Sequence, residues 1–173
     1  MPKQQAETLH DLLILKLKAL YDVETQLTKA LPKMAKKADN EDLRIVFEEH
    51  LEETETQVER LEECFKLLGI KPAKTKVEAI RGMIADAEWV MKNVKDPQAR
   101  DAAMIGAAQY VEHYEIAGYG TAAEWAELMD HADVKALLGE TLEEEDAADE
   151  KLSDLAVGMI NEMANDMDSE EEE

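Results

Sequence analysis

Apolar residues along this chain recur at steps of three, four and seven, the spacing that lays one stripe along a helix. Leu13, Leu17, Leu20, Leu27 and Leu31 form such a stripe within residues 5–37, which predicts a first long helix. Pro32 falls late in that segment, removes a backbone hydrogen bond, and is expected to kink or break the helix. Asp39 or Asn40 can cap a second helix, with Glu41 and Asp42 in its first turn. Its stripe runs through Leu43, Phe47, Leu61, Cys64 or Phe65, and Leu68, with Gly69 as the expected stop and Pro72 beyond it. Thr75 and Glu78 have the spacing of a capping box, so a shorter helix is expected over about 76–93. Asp96-Pro97 reads as a cap followed by proline at the first helical position, opening a third long helix that runs to about Met129. A fourth starts near Asp130 or Asp133 and runs to about 164.

Four helices of roughly 30 residues each span roughly 45 Å at 1.5 Å per residue. The first and second, and the third and fourth, are joined by short turns and read as hairpins. The stretch between the second and third is long enough to travel back along the bundle. The expected fold is therefore all-α: a ferritin-like four-helix bundle with a long crossover that contains an extra short helix. Composition agrees. The chain is 45% hydrophobic but only 5% aromatic, and its 7 glycines and 4 prolines leave little room for many turns. Residues 1–165 are expected to form one domain, and DMDSEEEE, residues 166–173, an acidic disordered tail.

Charge narrows the partners. With 41 acidic and 19 basic side chains the formal charge is −22, which repels phosphate backbones and anionic lipid heads and attracts cations. Nucleic acid and membrane are not expected partners. No apolar leader stands at the N-terminus and no stretch reaches the length of a membrane helix, so the cytoplasm is the expected compartment. The single cysteine, Cys64, lies in an apolar stripe and is read as core.

The two halves align with a constant offset of 91 residues: Glu24 falls on Glu115, Glu53 on Glu144, and Glu59-Arg60-Leu61 on Glu150-Lys151-Leu152. One register thus aligns carboxylates from all four long helices. Each apolar stripe also turns polar over a similar central length, at Glu24, at His50 with Glu53 or Thr54 and Gln57, at Glu112 and Glu115, and at Thr141 with Glu144 or Glu145. Buried carboxylates are costly unless paired or metal-bound, and no Lys or Arg stands on the stripes beside these. The candidate metal ligands are Glu24, His50, Glu53, Glu112, Glu115 and Glu144, around two ions. On the fourth helix the repeat selects Glu144, while heptad stepping selects Glu145. Oxygen-rich ligands with one imidazole suit Fe or Mn. Gln57 and Asp149 are candidates to support the ligands, and Tyr21 and Tyr114 stand near Glu24 and Glu115. Gly118 and Gly120 are expected to let helices approach closely.

Tyr21-Asp22-Val23-Glu24, Leu31-Pro32-Lys33-Met34, His50-Leu51-Glu52-Glu53-Thr54, the run EHYEIAGYGT from Glu112 to Thr121, and Thr141-Leu142-Glu143-Glu144-Glu145 resemble the YciF/YciE-type ferritin-like proteins over about residues 8–157. The resemblance implies a ferritin-like bundle that forms a homodimer rather than a cage, linked to stress responses and related in fold to rubrerythrin and manganese catalase. It carries the expectation of ferroxidase or peroxide-handling chemistry at a di-iron or di-manganese site. One departure stands out. Ferritins and rubrerythrins typically show Glu-x-x-His on the second and fourth helices, whereas here Thr56 and Ala147 stand three residues after Glu53 and Glu144. The alternative is a non-catalytic metal-binding or purely structural, stress-protective bundle.

Overall fold

The computed structural model describes residues 6–170, with side chains to residue 166. It is all-α among those residues: α1 (Leu9–Lys37), α2 (Glu41–Leu67), α3 (Glu78–Asn93), α4 (Pro97–Leu128), α5 (Ala132–Leu155), a π-type turn (Ala156–Ile160) and α6 (Asn161–Glu170). None of these helices is long and apolar enough to cross a membrane. Of the segment expected to be a tail, residues through Glu170 belong to α6, and residues 171–173 lie outside the described residues.

Each element starts where local chemistry satisfies its free N–H groups. Thr8 caps α1 by accepting from Asp11 N at 3.1 Å, while the Asp11 carboxylate accepts from Thr8 N at 3.0 Å. Asn40 accepts from Leu43 N at 3.0 Å to open α2, and Asp96 accepts from Ala99 N at 2.7 Å to open α4. Gly69 ends α2 with φ 71°, a conformation that costs glycine nothing.

Three expectations are corrected. Pro32 does not break α1, which continues to Lys37. The ring sits on the exposed face, where water can reach the unpaired Thr28 carbonyl, while Leu31, Met34 and Ala35 hold the helix in the core. Thr75 and Glu78 make no capping box, and Val77 holds the cap position without a side-chain hydrogen bond. Instead Thr75 N donates to Lys18 O at 3.0 Å, and buried Asp22 accepts from Val77 N at 2.9 Å and Arg81 Nη1 at 2.8 Å, so α1 itself secures the start of α3. The fourth long helix is interrupted by the π-type turn before α6 begins.

Cross-helix contacts set the directions. Leu20 lies against Gly118 and Leu31 shares a cavity wall with Ala108, so α1 and α4 run antiparallel. Arg60 meets Thr141 and Lys151 approaches Glu49, so α2 and α5 do likewise. The crossover descends along α1, where Lys33 pairs with Glu88 at 2.7 Å. It delivers α4 beside the α1–α2 turn. There the Asp101 carboxylate accepts from Asn40 N at 2.7 Å. Apolar side chains form two clusters. One holds Leu27, Leu31, Leu43, Phe47, Met104 and Leu152; the other holds Leu13, Leu17, Leu61, Phe65, Tyr119 and Leu138. The polar stretch of every long helix falls between them.

Candidate metal centre

Helical stepping brings the middle layer together. Glu24 projects inward between Leu20 and Leu27; His50, Thr54 and Gln57 between Phe47 and Leu61; Glu112 and Glu115 between Ala108 and Tyr119; Thr141 and Glu145 between Leu138 and Leu152. All of these are buried. One donor atom each from His50, Glu112, Glu115 and Glu145 lies within 4.8 Å of the others. His50 Nε2 stands 3.4 Å from Glu112 Oε2 and 3.7 Å from Glu145 Oε2, and its Nδ1 is 3.3 Å from Glu53 Oε2. Glu24 Oε1 accepts a hydrogen bond from the buried Tyr119 hydroxyl.

Most of the remaining oxygens make no hydrogen bond, although Glu112 Oε2 and Glu145 Oε2 stand within ion-pair distance of His50 Nε2. Glu24 Oε2, Glu112 Oε2, both oxygens of Glu115 and both of Glu145 are buried without a hydrogen-bond partner. Buried polar atoms are almost always satisfied, so a set of orphaned acceptors gathered around one imidazole is a set that could hold a cation. The electrostatics agree. Burial pushes the Glu24 carboxyl up to about 7, against the pull of its Tyr119 hydrogen bond. Burial, then the charge of Glu24, raises Glu115 and Glu145 well above the usual carboxylate range. Burial also works against a charged His50, yet Glu112, Glu53 and Glu24 outweigh it and hold the imidazole above its ordinary value. These groups favour shared protons, or a metal in their place.

Glu53 and Glu144 stand at the flanks. Half-buried Glu53 reaches His50 on one side and Lys151 Nζ, at 3.6 Å, on the other. Glu144 does not join the cluster. Its oxygens accept from Arg60 Nη1 and Nη2, both at 2.8 Å, and from Gln57 Nε2 at 3.0 Å. One residue turns a helix by about 100°, and it is Glu145 that continues the line of Leu138, Thr141, Ala148 and Leu152. Glu144 and Glu53, which the repeat aligns, both stand at flank positions. The same offset also places Arg60 on Lys151, and the pairing is exchanged across the seam: Arg60 of α2 holds Glu144 of α5, and Lys151 of α5 approaches Glu53 of α2. Sequence reasoning missed Arg60, which lies just off the stripe but is long enough to reach over it.

Arg60 anchors this flank by a forked pair. Arg60→Met is expected to destabilise the fold by about 1–2 kcal/mol by stranding Glu144, read as a drop of a few degrees in thermal melting. Adding Glu144→Gln to that variant should cost little more. Fully additive losses in the double-mutant cycle would show that the pair is not coupled.

Tyr119 was also missed, although it lies within EHYEIAGYGT; the aromatic residues singled out from spacing go elsewhere. Tyr21 donates to Glu62 at 2.5 Å on the outside, and Tyr114 packs beside the first apolar cluster. Asp149 accepts from Gln109 at 3.2 Å, away from the cluster. Of the two glycines, only Gly118 is needed for close approach: a Cβ there would lie 2.8 Å from Leu20 Cδ2, whereas one at Gly120 would meet nothing nearer than 3.9 Å.

Comparisons place this architecture among known proteins. Protein YciF of Escherichia coli strain K12 is 44% identical over 159 residues, covering 91% of this chain and 96% of that protein. The crystal structure of the E. coli stress protein YciF superposes with a TM-score of 0.87 over 90% of this chain and 99% of its own. YcfI of Rhodopseudomonas palustris, also 44% identical, gives a TM-score of 0.85 over 88% of this chain and 98% of its own. A protein of Xanthomonas campestris pv. campestris shares the fold at 18% identity, with a TM-score of 0.73 over 93% of this chain and 99% of its own. Residues 8–165 match the family described as a domain of unknown function, DUF892, and the chain belongs to that family.

Proposed function

We propose that this protein holds two divalent metal ions, Fe or Mn, in its middle layer and uses them in a stress-response oxidoreductase reaction on Fe(II) or peroxide. The observation that carries the reading is the set of buried carboxylate oxygens without a hydrogen bond on Glu24, Glu112, Glu115 and Glu145, the last three gathered with His50 so that one donor atom of each lies within 4.8 Å of the others. Nothing else described in that layer neutralises them, because Arg60 and Lys151 are committed to Glu144 and Glu53. An anionic, oxygen-rich set with one nitrogen donor fits hard or borderline divalent ions rather than a thiophilic one.

Glu24, Glu115, Glu112, Glu145 and His50 would hold the ions, and such a pair supplies one-electron steps toward O₂ or H₂O₂ when bound. The chain's own residues prepare the site. Tyr119 fixes the rotamer of Glu24, and Glu53 faces Nδ1 of His50, which leaves Nε2 toward the cluster. The apolar clusters above and below exclude water and strengthen every charge interaction between them.

Elemental analysis of freshly purified protein should find about two equivalents of Fe or Mn per chain, and metal-loaded protein should turn over Fe(II) or H₂O₂. Protein without metal that takes up none on titration would sink the reading. One feature favours a non-catalytic metal-binding role: the counterpart of His50 in the repeat is Thr141, so α5 brings no imidazole to the centre. Metal at full stoichiometry, a large stabilisation and no turnover would establish that alternative.

A further inference from the structure

We propose that divalent cations reach the centre through the seam between α2 and α5, past a gate formed by Lys151 and Glu53. This rests on the metal-binding reading above. An open groove on the outside of the seam is lined by Glu49, Glu52, Glu53, Thr56 and Glu144. Directly inside it, Phe47, Ala148 and Lys151 wall a small pocket that ends on His50 and Glu112. Glu53 is the residue that lines both. Glu112, 2% exposed, has its unpartnered Oε2 in this inner pocket, beside the His50 ring. Glu53 therefore links the outer carboxylates to the buried donors.

The two ends of the seam differ in a way that selects one of them. Arg60 closes its end with three contacts of 2.7–2.8 Å to Thr141 and Glu144, and its side chain is 12% exposed. Lys151 is shared between Glu49 and Glu53 at 3.6 Å from each, beyond direct hydrogen-bond length, and its side chain is 44% exposed. A half-exposed lysine changes rotamer within nanoseconds, while a guanidinium fork must break several bonds to move. The α1–α4 seam and the two ends of the bundle are closed. Leu20 packs on Gly118 across the α1–α4 seam, the Tyr119–Glu24 hydrogen bond lies behind it, and the apolar clusters fill both ends of the bundle. The inner pocket has room for about one water, about 10 Å³. A cation must therefore shed water as Glu53 and Lys151 swing aside, and Glu53 can replace a lost water before handing the ion to His50 and Glu112.

The gate makes a prediction of opposite signs. The groove carboxylates concentrate cations, whereas Lys151 repels them at the narrowest point. Stopped-flow mixing of metal-free protein with Co(II), followed by its visible absorption, measures the rate. At low ionic strength the variant carrying Glu49→Gln and Glu52→Gln should load about fivefold more slowly than wild type, with unchanged final stoichiometry, and salt should reduce the difference. Lys151→Gln should load about two- to threefold faster. A control with Glu124→Gln and Glu162→Gln, which removes the same charge elsewhere, should load at the wild-type rate. Equal rates in all variants, a slower Lys151→Gln, or a control as slow as the groove variant would overturn the route while leaving the metal site standing. Failure of wild-type protein to bind Co(II) at all would overturn the route and the metal reading together.

Discussion

Replacing Glu115 and Glu145 together by leucine is expected to raise the melting temperature of metal-free protein by about 5–10 °C and to abolish its stabilisation by Mn(II). Neither oxygen of either carboxylate has a hydrogen-bond partner of good geometry, so the main contact the substitutions remove is the 3.7 Å approach of Glu145 to His50 Nε2. Leucine is close to glutamate in volume and extends the apolar clusters into the middle layer. Replacing buried charges by apolar groups of similar size commonly stabilises by about 1–4 kcal/mol, and in a chain of this size each kcal/mol moves the midpoint by about 2–4 °C. Glu24 is left in place because Tyr119 would otherwise lose its acceptor deep in the core. In wild-type protein, Mn(II) at about 100 times its dissociation constant adds about 3 kcal/mol. Differential scanning fluorimetry with and without Mn(II) reads both effects. A variant that metal still stabilises, or a wild type that metal does not, would show that these carboxylates are not ligands.

How far the centre can be read from the chain depends on how each side chain reaches it. Glu24 is legible because leucines bracket it at helical spacing, and a residue inside such a stripe has nowhere to point but inward. His50, Glu112 and Glu115 follow by the same geometry. The fourth helix is ambiguous because Glu143, Glu144, Glu145 and Asp146 are consecutive, and only the helix rotation set by Leu138, Ala148 and Leu152 selects Glu145. Arg60 and Tyr119 are harder still. Arg60 starts just off its stripe and reaches sideways, while Tyr119 is buried like any core aromatic and acts only through its hydroxyl, which spacing does not reveal. The repeat held the missing signal for Arg60, since its alignment with Lys151 sets two cations against two acidic flanks. The crossover was legible as a length, but its attachment through Asp22 was not, because that contact joins residues 55 apart in sequence.

Raising the pH of metal-free protein from about 5 to about 8 is expected to lower its melting temperature, while the gap between metal-loaded and metal-free protein widens. The folded Glu24 carboxyl is held at about 7 against an ordinary 4.5. Between those values the unfolded chain releases a proton that the folded chain keeps, so stability falls as pH rises through the window, by about 3 kcal/mol for this group once the pH passes 7. Glu115 and Glu145 are also raised, by burial first, and act in the same direction. His50 works in the same direction: its folded value lies above 6.5, so its contribution is complete below that value and is lost as pH rises through the folded one. Glu53 and Glu144 act oppositely. His50, and then Lys151, lower the first; at the second, Arg60 and Gln57 outweigh burial. Their contributions are present above 4.5 and disappear toward acid, so metal-free stability should peak near pH 5. Metal reverses the upper limb because it binds the deprotonated carboxylates and neutral imidazole that high pH supplies. The net charge of −22 also grows more repulsive with pH, but that effect is spread over the surface and screened by salt. The leucine variant separates the two causes: its pH slope should be much shallower than that of wild type at equal ionic strength. An unchanged slope would move the origin of the decline from the buried cluster to the surface.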